Sequence, residues 1–227
     1  MSRVAHALIM AAGRGQRMMP LTSTVPKPMA PFQNSTLIAN GIAKLRPYLD
    51  DVHVTVGYKG AMLAHHLIEH GVASVINTDG KSNSWWIYNT LLRNLDEPVF
   101  VLTCDNVTDL DFAALGADYE ALGAPACLLV SVEPVAGLEG DYIFHEDRYV
   151  TKLSRSEPAA TYCSGIQVIN PKRVCALTED RGDFYTVWSQ LMEQRELRVS
   201  SVQPSRWFSI DTVADLDRSH AESPAQR

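Results

Sequence analysis

Hydrophobic and polar positions alternate with two different periods along the first 133 residues. Short apolar runs predict β-strands at residues 4–12, 51–57, 72–77, 98–105 and 124–133. Between them, apolar residues recur at helical spacing and predict helices at residues 35–49, 59–70, 84–95 and 109–122. Strands that alternate with helices of this length predict βαβ units, and therefore an α/β fold with a mostly parallel sheet.

After Glu133 the pattern changes to shorter elements, beginning with a hairpin whose turn lies at residues 146–147. Further elements are predicted as strands at residues 160–170 and 197–203, and as helices at residues 171–177, 183–194 and from Val213. Thr212 and Asp215, three positions apart, form a variant of the capping box at the start of the last helix. Neither an internal repeat nor a clear linker divides the chain.

Residues that can carry chemistry follow the predicted strands directly. Right-handed crossovers place the helices on both faces of a Rossmann-like mixed sheet, and ligands then bind beyond the carboxyl ends of its strands. The glycine-rich loop at Gly13, the segment at Asn77 and the acid at Asp105 all fall at that edge. We therefore expect the functional site there.

The loop after the first strand, MAAGRGQRMMPLTSTVPKPMAPF, combines glycine, proline and basic residues and contains no acid. Glycine lets backbone N–H groups approach phosphate oxygens closely, and arginine adds charge-assisted contacts. Prolines on both sides of Lys27 restrict the backbone and orient the lysine. These features predict a site for a polyanion.

Charge and cysteine content narrow the class of protein. The formal net charge is −6, yet residues 1–49 contain no Asp or Glu. A basic N-terminal quarter in an acidic chain suits a small polyanion better than nucleic acid, which usually binds a basic domain. No apolar stretch is long enough to span a membrane.

The four cysteines are expected to be unpaired thiols in a cytoplasmic protein. No CxxC pair or zinc-ligand spacing links Cys104, Cys127, Cys163 and Cys175.

Two common phosphate-binding loops do not fit. A dinucleotide fingerprint requires Gly or Ala where Met18 stands, and an acid about 20 residues later, whereas the first acid is Asp50. A P-loop requires G-K-[ST], which Gly15, Gln16 and Arg17 do not provide. A dehydrogenase and a P-loop NTPase are therefore disfavoured.

The stretch LIMAAGRGQRMMPLTSTVPKPMAPF (residues 8–32) resembles the signature of nucleotidyltransferases of the sugar-phosphate pyrophosphorylase type, a G-x-G-x-R loop followed by P-K-P. VLTCDNV, SGIQVINP and WFSIDTVADL are similar to this family's metal-binding strand, its acceptor-side strand and a late acid-containing segment. The resemblance covers nearly the whole chain. It implies a fold like the nucleotide-diphospho-sugar transferases and a single domain over residues 1–227, as monomer or homodimer. Its parts are an NTP-binding half, an acceptor-binding half and a frayed tail, at residues 1–134, 135–221 and 222–227.

The resemblance also implies a reaction, in which a phosphate or phosphonate oxygen of the acceptor attacks the α-phosphorus of an NTP and expels pyrophosphate. Arg17 and Lys27 would be the catalytic cations, at the β/γ-phosphates and the α-phosphate respectively. Asp105 and Asp211 would hold Mg²⁺, although a strand-end acid and a helix-start acid are the structural alternatives for them. We interpret the nearby acids Asp109 and Asp111 as helix-start residues.

The binding residues follow from the same resemblance. The nucleotide would be bound by Ala11, Ala12, Gly13, Gly15, Asn77, Ser82 and Asn83. The acceptor would be bound by Tyr142, Ser164, Gly165 and Trp188. Tyr142 and Trp188 are candidates for an aromatic cage around an ammonium group, with core packing as the alternative.

The segment NTDGKSNSWWIYNTLL (residues 77–92) departs from the family's P-L-G-T-A loop. An Asn after the strand, followed by Ser-Asn-Ser at the start of a helix, resembles the phosphocholine cytidylyltransferase branch. This favours CTP and an amino-alcohol phosphate or phosphonate acceptor, with a product used in surface polysaccharide or lipid biosynthesis. Two alternatives remain, namely uridylyl, thymidylyl or guanylyl transfer to a sugar 1-phosphate, and a catalytically silent nucleotide-sensing subunit of the same fold.

Overall fold

The chain folds around one mixed sheet with helices on both faces, as the sequence pattern predicts. The computed structural model describes residues 4–135 and 140–222, with side chains as far as residue 219. The strands are β1 (His6–Met10), β2 (Pro31–Phe32), β3 (Ser35–Thr36), β4 (Asp51–Val56), β5 (Ser74–Asn77), β6 (Val99–Thr103), β7 (Asn106–Asp109), β8 (Cys127–Val132), β9 (Tyr142–Glu146), β10 (Tyr149–Ser154), β11 (Thr161–Ile169), β12 (Leu197–Val199) and β13 (Arg206–Ser209). The helices are α1 (Leu21–Thr24), α2 (Leu37–Leu45), α3 (Gly60–Glu69), α4 (Trp85–Asn89), α5 (Phe112–Ala121), α6 (Pro171–Leu177), α7 (Phe184–Glu193) and α8 (Val213–Glu222).

The central sheet has nine strands in the order β5-β4-β1-β6-β11-β8-β12-β10-β9. Strands β5, β4, β1 and β6 are parallel to one another, and β10 and β11 run opposite to the other strands of this sheet. The sheet is therefore mostly parallel, as expected. The start of β11 also pairs with β9, so the far end of the sheet curls back on itself.

Alternate residues of the strands pack against helices on opposite faces. Ala7 and Ile9 of β1 belong to a core with α2, α3 and α5, whereas Leu8 belongs to a core with α4, α6 and α7. This arrangement follows from the period-two geometry of a strand that is buried on both sides. The apolar face predicted for α2 is buried, and the hydroxyl of Thr36 accepts a hydrogen bond from the N–H of Ala39 at its start.

The structure corrects two predicted elements. The helix predicted at residues 84–95 stops at Thr90, whose hydroxyl donates to the Trp86 carbonyl, and a 3₁₀ turn follows at Leu91–Asn94. Strand β7 is not predicted by the pattern, and it pairs antiparallel with β13, far along the chain. Asp109 consequently lies in β7 rather than at a helix start, whereas Asp111 is the N-cap of α5 as expected.

The C-terminal helix begins as the sequence predicts. The carboxylate of Asp215 accepts hydrogen bonds from the N–H and hydroxyl of Thr212, and the N–H of Asp215 donates to that hydroxyl. Residues 223–227 of the predicted tail lie outside the described residues. The four cysteines are free thiols, and no helix in the described ranges has the length and apolarity needed to cross a bilayer.

Candidate active site

A cleft of about 620 Å³ opens at the carboxyl ends of β1 and β6, at the edge predicted for ligand binding. Glycine-loop, lysine and aspartate residues line it together. The lining consists of Met10, Gly13, Arg14, Gly15, Gln16, Arg17, Lys27, Asn83, Thr103, Cys104, Asp105 and Asp211. The candidate catalytic and metal-binding residues of the sequence analysis therefore meet in one place.

The two glycines of the first loop have different structural roles. Gly15 has φ +60°, and a Cβ there would lie 2.7 Å from Lys27 Cβ, so a side chain would be strained and would clash. Gly13 has no heavy atom within 4 Å of an added Cβ, so its surface is open to the cleft. The loop thus turns tightly at Gly15 and leaves bare backbone at Gly13.

Two side chains of the segment that follows β4 donate hydrogen bonds to the backbone of the chain after this loop. The hydroxyl of Tyr58 donates to the carbonyl of Thr22 at 2.9 Å. The ammonium of Lys59 donates to the carbonyls of Ser23 and Thr24 at 2.6 and 2.9 Å. Sequence reasoning missed Tyr58 and Lys59, because both contact backbone carbonyls and such contacts leave no pattern in residue types.

Lys27 is the centre of the charged cluster. Its Nζ lies 2.7 Å from Asp105 Oδ2 and 2.9 Å from Asp211 Oδ1. Arg17 also reaches Asp211 Oδ1, at 3.0 Å, while 68% of its own side chain stays exposed. Two carboxylates therefore converge on one buried cation, with a second cation at the solvent side.

Both aspartates are positioned by the small β7–β13 sheet. Asp105 follows β6, and its carbonyl accepts a hydrogen bond from the N–H of Ile210 at 3.0 Å. Asp211 follows β13, and its carboxylate accepts a hydrogen bond from the Ser209 hydroxyl at 3.1 Å. The N–H of Asp211 donates to the helix-capping carboxylate of Asp215 at 3.2 Å. The backbone on both sides of the cluster is thus fixed by hydrogen bonds.

The pKa shifts of Lys27 and Asp211 keep these two groups charged near neutral pH. Burial alone would lower the pKa of Lys27, but its contacts with Asp105 and Asp211 outweigh burial and raise it. Burial alone would raise the pKa of Asp211, but the hydrogen bond from Lys27 and the charges of Lys27 and Arg17 lower it overall. The neighbouring thiol of Cys104 is neutral, because burial raises its pKa well above the usual value.

Of the residues predicted to bind nucleotide, Gly13, Gly15 and Asn83 line the cleft. The N–H of Ala11 donates to Thr55 Oγ1, and the carbonyl of Ala12 accepts from the N–H of Tyr58, so these two backbone groups already have partners. Asn77 is exposed and accepts a hydrogen bond from the N–H of Asp79. Neither Asn77 nor Ser82 is among the residues that line the cleft.

The residues predicted to bind the acceptor are spread out. Ser164 is buried, and its hydroxyl donates to the Val130 carbonyl at 2.6 Å. Its own carbonyl accepts from Asn106 Nδ2 and from the Trp207 indole N–H. Gly165 has φ +78°, and a Cβ there would lie 2.8 Å from Asn106 Nδ2. Asn106 and Trp207, which sequence reasoning missed, hold this strand against the β7–β13 sheet.

The two candidate cage aromatics lie in different surroundings. Tyr142 is half-buried on β9, with its ring edge-to-face against Tyr162 at 5.3 Å between centroids. Trp188 is 8% exposed, stacks on Phe184, and donates its indole N–H to Gln167 Oε1 at 2.9 Å. It belongs to the core on the α7 side of the sheet and is not among the cleft-lining residues.

Comparisons with known proteins identify relatives that match all or part of this chain. The N-acetylmuramate alpha-1-phosphate uridylyltransferase of Neisseria meningitidis is 26% identical over 226 residues, which cover 95% of this chain and 96% of that protein. The mannose-1-phosphate guanyltransferase of Neurospora crassa is 27% identical over 158 residues, or 66% of this chain. The match spans 43% of that protein, less than half of its length.

A solved structure shows the same fold over the full length. CTP:phosphocholine cytidylyltransferase from Streptococcus pneumoniae superposes with a TM-score of 0.74 at 18% identity, covering 96% of this chain and 98% of that one. The family model for nucleotidyl transferases matches residues 6–174, which include the glycine loop, Lys27 and Asp105. Since this match covers most of the chain, the protein belongs to the nucleotidyl transferase family.

Proposed function

We propose that the chain transfers a nucleoside monophosphate from an NTP to a phosphate or phosphonate oxygen of a small acceptor and releases pyrophosphate. The observation that carries this proposal is the convergence of Lys27, Asp105 and Asp211 in one cleft with an open glycine loop. Joining two polyanions requires cations and positioning rather than a covalent nucleophile. The thiol that lines the cleft, Cys104, is protonated and suits no nucleophilic role.

The groups that line the cleft have different roles, which follow from their positions. The bare backbone at Gly13 binds phosphate oxygens through its N–H groups, because no side chain blocks their approach. Lys27 sits deepest and stabilises the charge that develops at the reacting phosphate. Arg17 is exposed and reaches the outgoing pyrophosphate. A single fixed donor at such a charge contributes about 3 kcal/mol to the rate.

The donor set at the cluster fits Mg²⁺. Asp105 and Asp211 direct carboxylate oxygens at one point, which is now filled by the Lys27 ammonium. Within the described part of the chain, no group of three or more metal-binding side chains occurs. A pair of carboxylates suits Mg²⁺, which usually completes its shell with substrate phosphates and water. When bound, the ion supplies charge neutralisation at the phosphates, while Asp105 and Asp211 hold it in place.

For the substrates, CTP with an amino-alcohol phosphate or phosphonate is the first candidate pair. It is supported by the Ser-Asn-Ser segment at residues 82–84 and by the full-length fold match to a CTP:phosphocholine cytidylyltransferase. A sugar 1-phosphate with UTP, dTTP or GTP is the second candidate. It is supported by the match of nearly full length to the meningococcal uridylyltransferase and by the partial match to the Neurospora guanyltransferase.

Pyrophosphate release in the presence of Mg²⁺ tests the proposal. CTP, UTP, dTTP, GTP and ATP are each combined with phosphocholine, phosphoethanolamine, 2-aminoethylphosphonate, glucose 1-phosphate, mannose 1-phosphate and N-acetylmuramate 1-phosphate. We expect release with one NTP and one acceptor class, and its loss in the Asp105→Asn variant. NTP binding without release from any pair would favour the silent nucleotide-sensing subunit. Absence of both release and NTP binding would contradict the proposal.

A further inference from the structure

Helix α1 lies between the glycine loop and Lys27 and has only four residues. A helix of this length is not stable by itself, and all of its carbonyls belong to the last turn, where partners must come from outside the helix. The carbonyl of Leu21 accepts from the N–H of Val25 at 3.3 Å. The hydroxyl of Tyr58 and the ammonium of Lys59 donate to the other three carbonyls. The end of α1 therefore depends on the segment that follows β4.

Lys59 stands at a backbone position that its residue type does not favour. Its φ of +51° and ψ of 36° lie in the left-handed region, where a residue with a long side chain is uncommon. It is also the N-cap of α3 and makes no capping hydrogen bond there, although small polar residues are preferred at an N-cap and the helix dipole opposes a cation. Two local preferences are thus broken at one residue, which points to a function for its side chain.

The end of α1 is coupled to Lys27 through a restrained backbone. Prolines on both sides of Lys27 leave few conformations to the residues that follow Thr24. Helix α1 is also bonded to the glycine loop, because the Thr22 hydroxyl donates to the carbonyl of Gly15 at 3.1 Å. A displacement of α1 therefore moves Lys27 and Gly15 together.

We propose that Lys59 is a positioning residue for the transfer reaction, which acts through α1 to hold the Lys27 ammonium at the reacting phosphate. This inference rests on the proposed function. Lys59 itself is not among the residues that line the cleft. The backbone before Gly13 has its own support, because the carbonyl of Ala12 accepts from the N–H of Tyr58. Loss of the Lys59 side chain should therefore lower kcat and leave the phosphate-binding backbone in place.

Lys59→Gly and Lys59→Met separate positioning from stability. Both lose the hydrogen bonds to α1, but glycine also relieves the left-handed backbone, so K59G should have a higher Tm than K59M. We expect kcat to fall at least 10-fold in both, since a misplacement of about 1 Å at a reacting group costs about 100-fold in rate. The calorimetric Kd for NTP should stay within threefold of wild type. A merely structural role predicts that activity follows Tm, so recovery of kcat in K59G would overturn the inference.

Arg46→Met is the matched control. Arg46 is also a cation that donates to backbone carbonyls far along the chain, those of His70 and Gly71, and it donates to the carbonyl of Asp50 as well. These carbonyls lie beyond the opposite end of α3 from Lys59 and before β4. We expect R46M to have a lower Tm than wild type and a kcat within twofold of it. An equal fall of kcat in R46M and K59M would show that Lys59 has no special role, and the inference would fail.

Hydrogen exchange tests the structural step without any turnover. The N–H of Ser23 donates to the Pro20 carbonyl, and the N–H of Ala30 donates to the carbonyl of Lys27. We expect these amides and that of Val25 to exchange at least fivefold faster in K59G than in wild type, while the amides of β1 keep their rates. Unchanged exchange over residues 20–30 would contradict the link from Lys59 to α1.

Failure of this inference is distinct from failure of the proposed function. A wild-type protein that turns over an NTP, together with a K59G variant of unchanged kcat, contradicts only the inference. A wild-type protein that neither binds an NTP nor releases pyrophosphate contradicts both, whatever the exchange rates at α1.

Discussion

The ammonium of Lys27 lies 2.9 Å from the carboxylate of Asp211, across 184 positions of sequence. The same ammonium contacts Asp105, so one buried cation neutralises both acids that we assign to metal binding. Each acid is less than one-quarter exposed, and both would repel each other without that charge. Lys27 therefore holds the site together before any substrate arrives.

Replacement of Lys27 by Met is expected to lower kcat at least 100-fold, because the cation at the reacting phosphate is lost. It also leaves two partly buried carboxylates without their partner, which destabilises the protein by about 1–3 kcal/mol. Under the proposed function Mg²⁺ binds the same oxygens, and it should then raise the Tm of K27M more than that of wild type. Thermal unfolding with and without Mg²⁺ measures this difference. A Tm that responds equally to Mg²⁺ in both proteins would count against a metal at Asp105 and Asp211.

Gly15→Ala and Gly13→Ala should separate folding from binding. Ala at position 15 requires φ +60° and brings Cβ within 2.7 Å of Lys27 Cβ, so we expect a loss of about 1–3 kcal/mol in stability. Ala at position 13 meets no atom and should leave stability unchanged. It nevertheless covers the bare backbone, so the Kd for NTP should rise about tenfold. Denaturant unfolding and calorimetry provide the two measurements, and tight NTP binding by G13A would refute the phosphate role.

Trp188→Phe tests whether this tryptophan belongs to the core or to an acceptor cage. The substitution removes the indole N–H that donates to Gln167 Oε1, so stability should fall by about 1–2 kcal/mol. The KM for the acceptor should stay within twofold of wild type, since Trp188 does not line the cleft. Steady-state kinetics and chemical denaturation on the same preparation provide the comparison. A large rise in the acceptor KM at unchanged stability would restore the cage interpretation.

His53 should make stability depend on pH. Burial lowers the pKa of His53, and so does the charge of His6, while the charge of Asp51 opposes them. The rings of His6 and His53 stack with 5.6 Å between centroids, and Nδ1 of His53 forms a hydrogen bond with Ser74 Oγ. The unfolded chain, with a His pKa of about 6.5, then binds more protons than the native state just below that pH. The contribution of His53 is therefore complete above about pH 6.5 and is lost as the pH falls.

The measurement is the free energy of unfolding between pH 5 and 8. We expect it to rise with pH less steeply in His53→Asn than in wild type. Burial also lowers the pKa of His66. The free energy of unfolding of H53N therefore still rises somewhat with pH. Identical slopes in wild type and H53N would contradict the assignment.

The regular elements were predictable because their patterns are local. Strands β1 and β6 are apolar runs buried on both faces, and α2 repeats its apolar residues with helical period. The resemblance to the family also predicts that Lys27, Asp105 and Asp211 belong to one site. Strands β7 and β13 escaped prediction because only their long-range pairing with each other makes these two segments strands.

The side-chain environments were less predictable than the motif. Trp188 and Trp207 are indistinguishable by residue type, yet one donates to buried Gln167 and the other to the carbonyl of Ser164 beside the β7–β13 sheet. Asn83 and Asn77 are equally polar, but one lines the cleft and the other closes a local turn. Tertiary contacts decide these differences, and periodicity along the chain does not encode them.

The pairing of β13 with β7 has a consequence for synthesis on the ribosome. A nascent chain acquires the glycine loop, Lys27 and Asp105 long before it acquires Asp211. Until β13 has emerged and paired, the Ile210 N–H cannot reach the carbonyl of Asp105, and Lys27 has one carboxylate instead of two. The strands of the central sheet are therefore complete before the cleft is, and the cleft forms only after β13 has been synthesised.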